Sequence, residues 1–252
     1  MFRPCIDLHN GKVKQIVGGT LDDSETPDTN FVSEKPSSWF AELYKEDKLT
    51  GGHIIRLGKG NEEASLAALK AYPGGMQIGG GMNNTNSAEC LEAGASHIIV
   101  TSFVFKDGML NEKNLDSMLS EVGKEKLVLD LSCRIKDGKY WIVTDRWTKF
   151  TDVELNASTM SQLASSCDEF LIHAVDVEGL CKGIDWDLVK LLCDCPIPVT
   201  YAGGAGSLND LKKITEVSNN KVDLTIGSAL DIFGGDLIKY QDVVDFNRSL
   251  LT

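Results

Sequence analysis

Two short apolar runs carrying one acid each, Cys5-Ile6-Asp7-Leu8 and Leu127-Val128-Leu129-Asp130, place their aspartates 123 residues apart in a chain of 252. A carboxylate near the C-terminal end of a buried strand adds nothing to packing and costs desolvation. The interval recurs in the turns. Gly79-Gly80-Gly81 follows Met76-Gln77-Ile78, and Gly203-Gly204 follows Val199-Thr200-Tyr201-Ala202, with Gly80 and Gly203 again 123 apart. Thr101-Ser102 follows Ile98-Ile99-Val100, and Gly227-Ser228 follows Leu224-Thr225-Ile226, with the two serines 126 apart. Self-similarity at about half the chain length points to two copies of one half-unit, at approximately 1–123 and 124–252.

The rest of the sequence says what that unit is. Apolar runs recur at Cys5–Leu8, His53–Leu57, Met76–Ile78, His97–Thr101, Leu127–Leu131, Phe170–Val175, Val199–Ala202 and Val222–Ile226. They are continuous rather than alternating, which suits strands buried on both faces of a parallel sheet. Helical spacing fills the gaps, behind a serine cap at Ser37 and a capping-box-like start at Ser207-Leu208-Asn209-Asp210. Others are expected over Glu62–Ala71, Asn84–Ala93, Asn111–Val122, Asn156–Ser166, Asp185–Leu192 and Leu237–Leu250. Eight alternations in a chain of this length predict an α/β protein of the (β/α)₈ TIM-barrel type, built from two repeated half-barrels. A doubly wound open sheet would leave the matching halves unexplained. Two stretches break the rhythm and read as long loops: Val17–Ser33 after the first strand, and Arg134–Val153, which holds an Asp137-Gly138 turn, Trp141 and Trp147.

Charge and composition narrow the function. A formal net charge of −12 repels nucleic acid and anionic membranes, so neither is expected as a partner. Any phosphate bound here must be held by backbone N–H groups and dipoles. No stretch reaches 18 apolar residues and the N-terminus lacks a secretory pattern, so a cytoplasmic protein is expected. The seven cysteines show no metal-ligand spacing, and they are expected to be reduced and mostly buried. Neither a metal nor a cofactor is called for, and a monomer is expected.

In an eight-stranded barrel the first and fifth strands lie on opposite sides, so Asp7 and Asp130 would face one another across the C-terminal mouth. Two acids aimed at one substrate suit the removal and delivery of protons within a turnover, provided that one is ionised while the other is protonated. Each glycine turn, Gly80-Gly81 with Thr101 and Ser102, and Gly203-Gly204 with Gly227 and Ser228, joins strand ends to a helix start that can cradle an anion. Each half thus offers its own possible phosphate cradle, and the two sit on opposite sides of the barrel. Trp147 could stack on a flat heterocycle, and His9 could reach the site. His173 reads as a core histidine. Of the acids after the sixth strand, Asp176 is favoured over Glu178.

The stretches Cys5-Ile6-Asp7-Leu8-His9-Asn10-Gly11-Lys12-Val13-Lys14-Gln15, Val128-Leu129-Asp130-Leu131-Ser132-Cys133-Arg134, Ile172-His173-Ala174-Val175-Asp176-Val177-Glu178-Gly179-Leu180 and Leu230-Asp231-Ile232-Phe233-Gly234-Gly235 together resemble a known family. It is the phosphoribosylformimino-aminoimidazole carboxamide ribotide (ProFAR) isomerases of histidine biosynthesis, in their fungal and plant form. The resemblance covers essentially the whole chain. It implies a metal-free and cofactor-free Amadori rearrangement of an aminoaldose to an aminoketose (PRFAR), on a substrate with a phosphate at each end. It further implies that Asp7 takes the C2′ proton, Asp130 protonates the ring oxygen, Trp147 packs on the imidazole, and the glycine and serine turns hold the phosphates. Bacterial members read Thr-Asp-x-x-x-Asp-Gly where this chain reads Val175-Asp176-Val177-Glu178-Gly179. They also carry Asp-x-Asp-Gly where it has Leu57-Gly58-Lys59-Gly60. Two rivals stand beside this reading: the sister cyclase barrel, which consumes ammonia, and a barrel that binds a ribotide without catalysis.

Overall fold

A computed structural model describes residues 1–16 and 29–251. The eight expected strands all form. β1 consists of Phe2–Arg3 and Cys5–His9; β2 is Gly52–Arg56, β3 Met76–Gly79, β4 Ile98–Val100, β5 Leu127–Asp130, β6 Glu169–His173, β7 Val199–Ala202 and β8 Val222–Thr225. Every neighbouring pair from β1 to β8 is parallel. The sheet closes through Pro4, which breaks β1 in two. Phe2 and Arg3 pair with Leu224 and Thr225 of β8, whereas Cys5–Leu8 pair with His53–Arg56 of β2. Proline has no N–H to donate, and its carbonyl accepts the His53 N–H at 3.0 Å, so the first strand changes partner there.

Helices alternate with the strands: α1 Ser37–Glu46, α2 Glu62–Ala71, α3 Ser87–Glu92, α4 Glu112–Val122, α5 Ala157–Leu163, α6 Trp186–Leu192, α7 Leu208–Val217 and α8 Tyr240–Ser249. The result is a (β/α)₈ barrel. Asn111, Asn156, Asp185 and Ser207 cap the helices that follow them by accepting a backbone N–H. At Ser207 the capping box is complete, since Asp210 bonds back to the cap's own N–H. Apolar faces of the helices bury Tyr44, Leu69, Met118, Leu188 and Ile214 against the outside of the barrel.

Inside the barrel, Ile99, Val128 and Leu171 form a buried layer joined by Ile55. Below it the floor is polar. Glu169 accepts from Gln77 Nε2 at 3.0 Å and from Thr200 Oγ1 at 2.7 Å, and Arg3 Nη2 lies 3.9 Å away. Arg3 Nε bonds Asp223 at 2.6 Å. This network, drawn from β1, β3, β6, β7 and β8, stands at the end of the barrel opposite Asp7 and Asp130.

The two expected long loops differ from their description. Lys12–Ile16 runs antiparallel to β1, and Thr29–Val32 pairs antiparallel with it, so that part of Val17–Ser33 is strand; the part over 17–28 lies outside the described residues. After β5 the chain makes a three-stranded antiparallel sheet from Cys133–Lys136, Lys139–Thr144 and Lys149–Glu154. Its first turn is Asp137-Gly138, with φ of 53° and 73°, the left-handed pair that a tight hairpin requires.

Candidate active site

β1 and β5 carry Asp7 and Asp130 to the C-terminal mouth of the barrel, where both line one cleft of about 650 Å³. Their surroundings differ. Among the described residues Asp7 has one side-chain hydrogen bond, from Gln15 Nε2 at 3.3 Å. Burial pushes its pKa up to about 7, with Glu178 adding to the rise and His173 and Gln15 opposing it. Asp130 is buried, and its Oδ1 accepts both the backbone N–H of Ser132, at 2.8 Å, and the Ser132 hydroxyl. Burial alone would raise its pKa, but His173 and the two Ser132 bonds outweigh it and hold Asp130 below the ordinary range. The acids are therefore set apart in protonation, with Asp130 the more firmly ionised.

His173, at the end of β6, is buried as the sequence suggests but lies at the centre of the cleft. Its Nδ1 is 3.0 Å from Ser132 Oγ and 3.9 Å from Asp130 Oδ1. Burial lowers its pKa, and the Asp130, Glu178 and Asp7 carboxyls together raise it above the usual value. The His53 ring on β2 sits 5.8 Å from the His173 ring. Buried and beside another imidazole, His53 is pushed down to about 3 and is neutral. His53 has no part in the sequence expectations. The available signal was its phase, since His53 is in register with Cys5, two residues before Asp7 on the neighbouring strand.

The acids after β6 also divide. A short 3₁₀ turn, Val175–Val177, swings Asp176 outward, where it accepts from Arg134 Nε at 2.8 Å and the Ile135 N–H at 2.9 Å. Asp176, favoured from the sequence, is thus a surface tie for the hairpin and does not line the cleft. Glu178 does line it. Its Oε2 is shut from solvent and has no hydrogen-bond partner among the described residues, and burial raises its pKa.

On one side the cleft is bounded by Gly80, Gly81, Thr101 and Ser102, and a smaller pocket opposite is bounded by Gly203, Gly204, Gly227 and Ser228. All the expected cradle residues therefore come together as two groups, and Asp7, His173 and Glu178 line both cavities. Gly80, Gly81, Gly203 and Gly204 have φ of 90°, 71°, 124° and 75°. Left-handed backbone is open to glycine at no steric cost and leaves room for close approach to the backbone. Ser228 Oγ accepts from Asn30 Nδ2 at 3.1 Å, and Ser102 Oγ accepts the Asp145 N–H at 3.1 Å, which ties the hairpin to the first cradle. Trp147, at the hairpin tip, lies 5.2 Å from the His173 ring, so it roofs the centre of the site.

An acid pair between two glycine-rich turns at a barrel mouth suits proton transfer on a small molecule. The sequence matches the family described as histidine biosynthesis protein over residues 1–236. The chain belongs to this family. Among the relatives it resembles is the chloroplastic 1-(5-phosphoribosyl)-5-((5-phosphoribosylamino)methylideneamino)imidazole-4-carboxamide isomerase of Medicago truncatula, 57% identical across 98% of this chain and 81% of the relative. The isomerases of the same name from Yarrowia lipolytica and Saccharomyces cerevisiae are 51% and 49% identical, each covering 98% of the relative and, respectively, 99% and 98% of this chain. The likeness to relatives of the histidine biosynthesis family thus runs the length of the barrel. Among the described residues no helix is long and apolar enough to cross a membrane.

Proposed function

We propose that this chain is the ProFAR isomerase of histidine biosynthesis, an aldose–ketose isomerase that converts the aminoaldose ribotide to the aminoketose PRFAR by an Amadori rearrangement. The observation that carries the reading is the placement of Asp7 and Asp130 in one cleft with their protonation pushed in opposite directions. Opening the ribose ring needs a proton at the ring oxygen, and forming the ketose needs one removed from C2′. A carboxyl held near neutrality is a base matched to working pH, which suits Asp7 to the C2′ proton. The Asp130 side of the cleft then serves the ring oxygen. The two cradles suit a substrate with a phosphate at each end, and neutral donors are what a chain of charge −12 has to offer such a ligand. Trp147 would cover the imidazole, a role supported by its ring lying 5.2 Å from that of His173.

The deciding experiment is an assay of the purified chain with ProFAR, with and without ammonia. Conversion to PRFAR without ammonia supports the isomerase. Product formed only when ammonia and PRFAR are supplied would select the sister cyclase, and binding without turnover would select a non-catalytic ribotide barrel.

A further inference from the structure

We propose that the proton that opens the ring is delivered by His173, with Asp130 and Ser132 acting as its positioning groups; this rests on the isomerase reading above. The hydroxyl of Ser132 has one hydrogen, and it is donated to Asp130 Oδ1, the same oxygen that accepts the Ser132 N–H. With that hydrogen committed, Ser132 Oγ can only accept from His173 Nδ1, 3.0 Å away, so Nδ1 carries a hydrogen. The other ring nitrogen, Nε2, is left for the cleft. It is an acceptor in the neutral ring and a donor in the imidazolium. A carboxylate oxygen that takes two donors is held as the anion, so Asp130 stands behind the ring as counter-charge rather than as the acid itself.

The groups facing His173 agree from every side. Asp130 and Ser132 face it from β5 and the turn that follows, Asp7 from β1, Glu178 from the turn after β6, and Trp147 from the hairpin. His53 faces it from β2 as a neutral ring, so it adds no competing positive charge. Three carboxyls and one neutral imidazole therefore surround a histidine whose Nδ1 is already anchored.

The step balances. The Nε2 proton passes to the ribose ring oxygen, the C1′–oxygen bond breaks with its electron pair left on that oxygen as a hydroxyl, and the exocyclic nitrogen lone pair forms the C1′=N bond. Asp7 then takes the C2′ proton as C1′=C2′ forms. As C1′=C2′ forms, the C1′=N electron pair returns to nitrogen; Asp7 then gives its proton to C1′ while the C2′ hydroxyl proton passes to His173 Nε2 and C2′=O forms, so both protein groups end as they began.

The test is kcat against pH with ProFAR for the unaltered chain, His173→Gln and Ser132→Ala. His173→Gln is expected to lower kcat by about 10²–10⁴-fold with KM little changed, and to abolish the fall in rate on the alkaline side. Ser132→Ala keeps the imidazole and removes its link to the anion, so the alkaline limb moves to lower pH. If Asp130 were the donor, Ser132→Ala would strip a hydrogen bond from the carboxylate and move that limb to higher pH; this result overturns the proposal. So does an unchanged alkaline limb in His173→Gln. The chain has four histidines, and the imidazole NMR signal missing from His173→Gln must titrate with the midpoint of the limb; a mismatch also overturns it. Failure of the unaltered chain to convert ProFAR would instead remove the isomerase reading and this proposal with it.

Discussion

Gly80 packs against the backbone of Arg56 so closely that a Cβ on it would lie 2.1 Å from the Arg56 carbonyl oxygen and 2.6 Å from its nitrogen. In the second half Gly203 abuts the carbonyl oxygen of Ala174, at 3.0 Å from where its Cβ would stand. Each glycine follows the third strand of its half and meets the chain as it leaves the second. We infer that the halves 1–123 and 124–252 repeat this contact because it brings a left-handed turn to the same place beside each cradle.

Gly80→Ala should consequently be far worse than Gly81→Ala. Both glycines have positive φ, which costs a side chain ~1–2 kcal/mol, but at Gly81 a Cβ meets nothing within 4 Å among the described residues. At Gly80 the clash with Arg56 backbone adds to that cost, so the turn must move. Urea unfolding is the measurement. Equal losses for the two variants would mean that the contact does not constrain the turn.

Asp7→Asn is expected to lower kcat by about 10²–10⁴-fold while ProFAR still binds. In the unaltered chain the acid limb of kcat/KM should have its midpoint near the Asp7 value of about 7, because the base must be ionised to work. Stability gives a second readout with a definite sign. The folded pKa is raised, so the folded state binds the extra proton, and stability falls as pH rises from the ordinary carboxyl range to about 7. Asp7→Asn should lose that slope. Melting temperatures of both chains across this range check it, and parallel curves would contradict it.

How much of this was readable in the sequence follows from what each element depends on. The strands and most helices depend on local pattern: continuous apolar runs such as Leu127–Asp130 cannot be solvent-facing, and Ser207 with Asp210 announces a helix start. Asp7, Asp130 and the glycine turns stood out because the repeat doubled each signal. The closure at Pro4 did not, since it depends on which neighbour donates where proline cannot. His173 read as a core residue because burial and function look alike in a strand; only the arrival of Ser132 from β5 gives it a role. The choice between Asp176 and Glu178 turned on one 3₁₀ turn whose rotation no periodicity encodes. Arg134–Val153 reads as a loop because it interrupts the alternation of strand and helix, and only the pairing of Lys149–Glu154 with Lys139–Thr144 supplies its order.

The floor of the barrel should govern stability and leave the chemistry alone. Glu169→Ala leaves Gln77 and Thr200 without their acceptor and removes a buried partner of Arg3, which keeps Asp223. The expected loss is about 2–5 kcal/mol in urea unfolding. Under conditions where the variant remains folded, kcat/KM should match that of the unaltered chain. A selective fall in kcat with normal stability would place Glu169 in the chemistry.

Trp147→Ala should weaken substrate binding more than it slows the chemical step. An aromatic contact of the kind expected over the imidazole is worth about 0.5–1.5 kcal/mol, so a rise in KM of roughly 2–12-fold follows, with Trp147→Phe intermediate. Trp147 already lies 5.2 Å from the His173 ring, so its indole is near the place the heterocycle would occupy. A Trp147→Ala chain with unchanged KM would remove the indole from the binding surface.

Ser102→Ala and Ser228→Ala together test whether the cradles hold separate phosphates. Each hydroxyl belongs to a different cavity, one beside Gly81 and the other beside Gly204. A hydrogen bond to a charged group is worth about 1.5–3 kcal/mol, so each variant should raise the ProFAR dissociation constant by roughly 10–150-fold. Ser102 also accepts the Asp145 N–H, so part of its loss will come from the hairpin. If each serine serves its own phosphate, the double variant should lose the sum of the two free energies, since groups in separate sites with no shared partner are additive to about 0.3–0.5 kcal/mol. Calorimetric titration of all four chains with ProFAR measures this. A double variant no weaker than the worse single one would mean that both serines act on one phosphate, and the two-cradle reading of the cleft would fall.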